Sequence, residues 1–389
     1  MLLLGAVSLL TDISSEMLYP VIPLFLTAVL HAPMSVVGLV EGVAEGTASL
    51  LKIASGWISD RIGRRKPLVI WGYALSAASK PLLALARSWQ AVLLLRFTDR
   101  TGKGLRTSPR DALIAASCPV DARGAAFGMH RALDTLGAVI GPAIALAYLH
   151  LLPGNYRPLF LLAAIPAAAG VLILRPVREP ATGPRKGRSE SVQNTRLPDK
   201  TLAGRFRRFV LAYAVFAAGN SSDVFLLLKA RHAGFSDSGV LLLYLFYNVV
   251  YALAAAPAGW LSDRLPRVRF FAGGLFWFAL VYAGFALFSQ PAAIWILFAL
   301  YGFYAAATEG VGRACVADFS PPQSRGTAMG IFHTVNGLLV LAASIVAGIL
   351  WDRIGPAAPF LYGSACALLS ASWLLRLDTR GVHATRGKP

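Results

Sequence analysis

Roughly a dozen stretches of about 20 predominantly apolar residues run through this chain. They lie near 3–28, 35–59, 67–86, 91–116, 124–148, 158–175, 207–230, 238–261, 268–288, 292–316, 326–350 and 357–376. In a bilayer core each backbone N–H and C=O must be paired within the protein, which leaves helices and closed barrels. The stretches are continuously apolar rather than alternating, so an all-α membrane protein with twelve transmembrane helices is expected. Only 14% of the 389 residues are charged, against about 25% in soluble domains. Asp12 and Glu16 interrupt the apolar core that a cleaved signal needs, so the first stretch reads as a retained helix.

A net charge of +18 invites a nucleic-acid reading, but its placement argues against one. Arg61, Arg64, Arg65 and Lys66 fall between spans two and three. Ten more cations from Arg175 to Arg208 surround the link between spans six and seven. Arg264, Arg267 and Arg269 follow span eight, and Arg376 and Arg380 follow span twelve. With alternating spans these all lie on one side. The positive-inside rule then puts both termini in the cytoplasm and the chain in the plasma (inner) membrane, with its basic face toward anionic lipid. Cys118, Cys315 and Cys366 are far apart, with no metal-ligand spacing. No nucleophile–base pair stands out, so an enzyme is not expected. Neither is a cofactor.

The chain repeats itself. Gly56-Trp57-Ile58-Ser59-Asp60-Arg61 returns as Gly259-Trp260-Leu261-Ser262-Asp263-Arg264, 203 residues later. Arg123-Gly124 at the start of span five returns as Arg325-Gly326, offset by 202. A polar segment with Pro180, Gly183, Pro184 and Pro198 separates the copies. The expected organisation is an N-terminal six-helix bundle (1–175), a linker (176–205), a C-terminal six-helix bundle (206–377) and a tail (378–389). Two such halves, related by an axis along the membrane normal, are a transporter architecture.

At Gly56 to Arg65 the chain resembles the major facilitator superfamily, whose signature in this loop is Gly, then Asp-Arg, then Gly-Arg-Arg or Gly-Arg-Lys. A weaker copy, Asp263-Arg264-Leu265-Pro266-Arg267, stands where the family has one. Gly137-Ala138-Val139-Ile140-Gly141-Pro142 in span five resembles the motif associated with the family's antiporters, which export drugs or metabolites. Arg96 matches the family's span-four arginine, while the glycines that should follow it are displaced. The resemblance implies two pseudo-symmetric bundles that alternate in access. It also implies a conformational latch of Gly56, Asp60, Arg61, Arg64 and Arg65, echoed by Asp263 and Arg264. A carboxylate at a helix N-terminus gripped by arginine is a contact that can form in one state and break in the other.

The candidates for proton or substrate coupling are charges inside spans, each costing about 2.5–3.5 kcal/mol near the bilayer centre on insertion scales. Asp12 and Glu16 are four apart and share a helix face, as do Glu41 and Glu45. Arg96 and Arg100 in span four, with Lys103, either neutralise them or form an anion-binding wall. Lys52 and Lys80 are further counter-ions, and Arg106 and Arg110 read as cytoplasmic anchors. Asp134 precedes Gly137 by one turn and follows His130 by four. At the repeat offsets Asp134 matches Asn336, and Glu45 matches Asn248, which puts proton chemistry mainly in the N-terminal half. Asp223, Glu309 and Arg313 are the charged exceptions in the other half. Phe225, Tyr244, Phe246, Tyr247, Tyr251 and Tyr301 are candidates to line a cavity. Gly137, Gly141 and Pro142 read first as helix packing.

These features together predict a monomeric carrier of a small molecule, driven by the proton gradient and working as an efflux antiporter. Proton-coupled uptake is the nearest alternative. Export of an organic anion or a metal chelate is the next.

Overall fold

A computed structural model describes residues 2–62, 65–117, 123–177, 200–320 and 325–385. Fourteen α-helices lie among them, and no strand. They are α1 (Leu2–Leu18), α2 (Val21–Ala28), α3 (Met34–Ile62), α4 (Lys66–Leu83), α5 (Trp89–Ala116), α6 (Arg123–Leu151), α7 (Tyr156–Ile173), α8 (Lys200–Gly219), α9 (Val224–His232), α10 (Asp237–Arg264), α11 (Arg267–Leu287), α12 (Pro291–Asp318), α13 (Arg325–Arg353) and α14 (Ala358–Thr385).

Two spans are each built from two helices. α1 and α2 form the span Leu3–Ala28, broken at Tyr19–Pro20 because proline brings no N–H to continue the ladder. α8 and α9 form Gly204–His232, broken across 220–223. Ten segments among the described residues are long and apolar enough to cross a membrane. α4 and α5 are the other two spans, and α5 carries seven Lys, Arg and Asp residues between Arg96 and Asp111. Twelve crossings result, as the sequence predicts. Most of the linker lies outside the described residues. Lys200 already begins α8, inside the segment assigned to the linker, and α14 runs past residue 378 to Thr385.

Contacts divide the chain into two units. The first comprises 1–185 with 230–245, and the second 186–229 with 246–389. The start of α10 therefore belongs with the first unit, where the sequence had put 206–377 in one bundle. Within the first unit α1 packs on α6 and α7, α4 on α5 and α7, and α3 on α5. Within the second, α8 packs on α13 and α14, and α11 on α12 and α14, so the duplicated sequence gives a duplicated packing.

Two of the first unit's contacts require glycine. A Cβ on Gly141 would fall 2.5 Å from the Ile13 carbonyl oxygen, and one on Gly137 would fall 2.9 Å from the Asp12 Cβ. Gly72 and Gly102 face each other across α4 and α5, each Cβ position within 2.7 Å of the other's carbonyl oxygen. Helices brought together by small residues gain close backbone packing, which replaces the hydrophobic drive that lipid removes. α6 continues unbroken through Pro142.

Candidate transport site

α5 starts at Ser88, whose hydroxyl accepts the Ala91 N–H and so caps the helix. Its Arg96 and Arg100 have the same four-residue spacing as Glu41 and Glu45 on α3, and the pairs meet in register. Both Glu41 oxygens lie 2.7 Å from Arg96 Nη2, with neither side chain more than 4% exposed. Arg100 stands 3.5 Å from the half-exposed Glu45. Arg96 also lies 3.9 Å from Asp99, which accepts a hydrogen bond from Ser76 of α4. The four candidates Glu41, Glu45, Arg96 and Arg100 thus form one ionic seam.

The remaining cations of this unit sit differently from expectation. Lys80 is buried, and its Nζ donates to the hydroxyls of Ser14 (2.6 Å) and Ser15 (3.0 Å). Arg106 is no cytoplasmic anchor. It is 4% exposed, with its guanidinium 4.4 Å from the centre of the Tyr73 ring. Arg110 donates to Ser8 (3.1 Å) and pairs with Asp111 (3.0 Å). An α-helix that crosses beside three others turns these long side chains inward, because lipid offers them no partner.

Asp12 packs against Gly137, one helical turn from Asp134, at the α1–α6 crossing described above. The charges that act on Asp12 are those of Asp134 and Glu16, of like sign, and of Lys103 and Arg106, of opposite sign. Asp134 Oδ2 lies 3.3 Å from His130 Nδ1, while its buried Oδ1 accepts no hydrogen bond. Glu16, four residues on, accepts from Tyr244 at 2.9 Å. Asp12 and Glu16 share a face, yet they meet different helices.

The second unit replaces charge with rings. Tyr301 donates to Asp223 (2.6 Å), Tyr251 to Glu309 (2.9 Å) and Tyr213 to Asn336 (2.7 Å). The Arg313 Nε donates to the Glu309 carbonyl oxygen on its own helix (3.1 Å). Tyr301 packs on Tyr247 (5.3 Å between ring centres) and Tyr304 (5.2 Å), and Phe278 stacks on Tyr282 (3.8 Å). Of the aromatics named from sequence, Phe225 packs on Trp351 and Phe246 on Trp295 instead. Tyr213, Tyr282 and Tyr304 were missed. Their only sequence signal is tyrosine within a span, where a hydroxyl needs a partner.

The residues assigned to the latch are described in part. Gly56 approaches Ser108, with its Cβ position 3.3 Å from the Ser108 Cβ. Arg61 is exposed, Arg65 reaches toward the Ala112 carbonyl oxygen (3.4 Å), and Arg264 lies 3.5 Å over the Trp260 ring. The side chains of Asp60 and Asp263, and Arg64 as a whole, lie outside the described residues. Among the described residues no cluster has the makings of a metal site.

Residues 4–249 and 209–389 each match the Major Facilitator Superfamily. The chain belongs to this superfamily. An uncharacterized MFS-type transporter of Methanocaldococcus jannaschii is 36% identical over 379 residues, covering 96% of this chain and 93% of the relative. The cis,cis-muconate transport protein of Acinetobacter baylyi is 25% identical over 327 residues, covering 77% and 74%. A POT family transporter crystallised with 5-aminolevulinic acid superposes with a TM-score of 0.83 at 14% identity, covering 97% of this chain and 96% of that one. The last shows likeness of fold alone. This superfamily member is a multi-pass membrane transporter of small solutes.

Proposed function

We propose that this transporter exports its solute in exchange for protons, from a plasma membrane with both termini in the cytoplasm, as a monomer without a cofactor. The observation that carries the reading is the packing of Asp12 against Gly137, one helical turn from Asp134, at the α1–α6 crossing. Glu41 would have to break two charge-assisted bonds to Arg96 to take up a proton. Among the described residues Asp12 has no ion pair of that kind within the same unit, while Asp134 is held beside His130 at 3.3 Å. The glycines that bring the two helices together belong to the antiporter-like stretch Gly137 to Pro142. Proton uptake on one side and release on the other then compete with solute in the same unit.

The test is transport by the purified chain in proteoliposomes with a pH dye inside, after a solute screen in inverted vesicles. Counter-directional proton movement on adding solute supports antiport. Co-directional movement replaces this reading with proton-coupled uptake. A second reading, carriage of an organic acid, draws on the muconate relative, on the buried cation Lys80 and on the partly buried Lys103. Dicarboxylates therefore belong in the same screen.

A further inference from the structure

The two units close the same seam differently. α5 and α12 start and end 202 residues apart, and α3 and α10 share the 203-residue offset of their Gly-Trp motifs. In the first unit the α3–α5 seam is clasped along its length. Ser55 donates to the Gly104 carbonyl oxygen (2.8 Å) and Ser108 to that of Lys52 (2.6 Å), beyond the two ion pairs already described. At the repeat offsets the second unit has Ala258 for Ser55, Gly310 for Ser108, Asn248 for Glu45, and Phe298 and Gly302 for Arg96 and Arg100. None of these can remake the clasp.

α10 and α12 still touch at Gly302, whose Cβ position is 2.9 Å from Val250. Beyond it they part. A Cβ on Gly259 or Gly310 would meet nothing within 4 Å, and α11 does not fill the gap, because Gly273 is equally open. Between α10, α11 and α12, with the open Gly273 in its wall, runs an apolar groove of about 660 Å³, within the ~300–1,000 Å³ of small-molecule sites. Leu253, Pro257 and Leu261 of α10, Gly273 and Trp277 of α11, and Phe303 of α12 line it. Leu253 is 73% exposed and Phe303 51%.

We propose that this groove holds an acyl chain of an anionic phospholipid, with Arg264 and Arg269 meeting its headgroup. All three helices are apolar enough to span the membrane, and a groove almost without polar lining suits a hydrocarbon chain. The end of the groove at Leu261 and Phe270 is flanked in sequence by the exposed cations Arg264 and Arg269. Arg264 stacks on the exposed Trp260, and tryptophan is enriched where membrane meets water. A cation beside an anionic headgroup strengthens lipid binding about fivefold. A charge-neutral lipid gains only the chain.

Native mass spectrometry of the full chain, delipidated and titrated with phosphatidylglycerol or phosphatidylcholine, tests this. The wild type is expected to hold one phosphatidylglycerol more tightly than phosphatidylcholine. Gly273→Leu fills the groove where no atom obstructs it, and is expected to lose the tightly held phosphatidylglycerol. Arg264→Gln is expected to leave phosphatidylcholine binding unchanged and to lower phosphatidylglycerol toward it, about fivefold. Equal retention of the two lipids by the wild type overturns the proposal. So does undiminished phosphatidylglycerol binding by a Gly273→Leu variant that elutes as the wild type does on gel filtration.

Discussion

Removing Arg96 should damage this protein far more than removing Glu41, although the two form one ion pair. Both oxygens of Glu41 are bonded through Arg96 at 2.7 Å, and the carboxylate is fully buried. Arg96→Met therefore strands a buried charge, a change that costs about 3–5 kcal/mol. Glu41→Gln leaves Arg96 with Asp99 at 3.9 Å, so the loss is nearer the ~1.5–3 kcal/mol of a hydrogen bond to a charged group. Glu41→Leu combined with Arg96→Met removes both charges and should recover most of the loss, because well-packed apolar replacements of buried pairs are close to neutral. At about 2–4 °C per kcal/mol for a unit of this size, Arg96→Met should lower the melting temperature in detergent by roughly 6–20 °C. Thermal unfolding followed by size-exclusion chromatography reads the order directly. Equal damage from the two single variants, or a double variant no better than Arg96→Met, would refute the reasoning.

Gly141→Leu places side-chain atoms against the backbone of Ile13 and Met17; overpacking of this kind costs about 1–3 kcal/mol or more, and folded protein on fluorescence-detected chromatography should fall accordingly. Asp12→Asn and Asp134→Asn should each abolish proton-driven transport while sparing solute counterflow, measured in the same proteoliposomes; proton-driven transport surviving in both variants removes these acids from the mechanism. Arg267→Gln, which breaks a half-exposed pair with Asp318 at 2.9 Å, should change the melting temperature by no more than an ordinary surface pair does, about 0–1 kcal/mol.

The spans, their number and the duplication were legible because each rests on a local property: twenty apolar residues, or a motif recurring at one offset. The register of Glu41 and Glu45 with Arg96 and Arg100 was half legible, since both pairs have four-residue spacing. Which acid met which base was not. The approach of Asp12 to Asp134 depends on how tightly α1 and α6 cross, and the glycines signal closeness without naming what they face. Lys80 was named as a counter-ion for the acids; the two serine hydroxyls to which its Nζ donates were not foreseen. The breaks in the first and seventh spans were also unread, although Pro20 marks one of them. Arg106 and Arg110 looked like surface anchors because a basic run near a span's end commonly is one, yet α5 stays inside the unit along that whole length.

The unlike mortar in the two copies bears on how each tolerates mutation. Where guanidinium and carboxylate interlock, losing a single member orphans its counterpart, so damage arrives all at once. Where tyrosine and phenylalanine lean on many neighbours, trimming one leaves the others in touch, and decline is gradual. Sequence drift should accordingly be tolerated along α11 and α12 and resisted along α5, even though α5 and α12 descend from one ancestral helix.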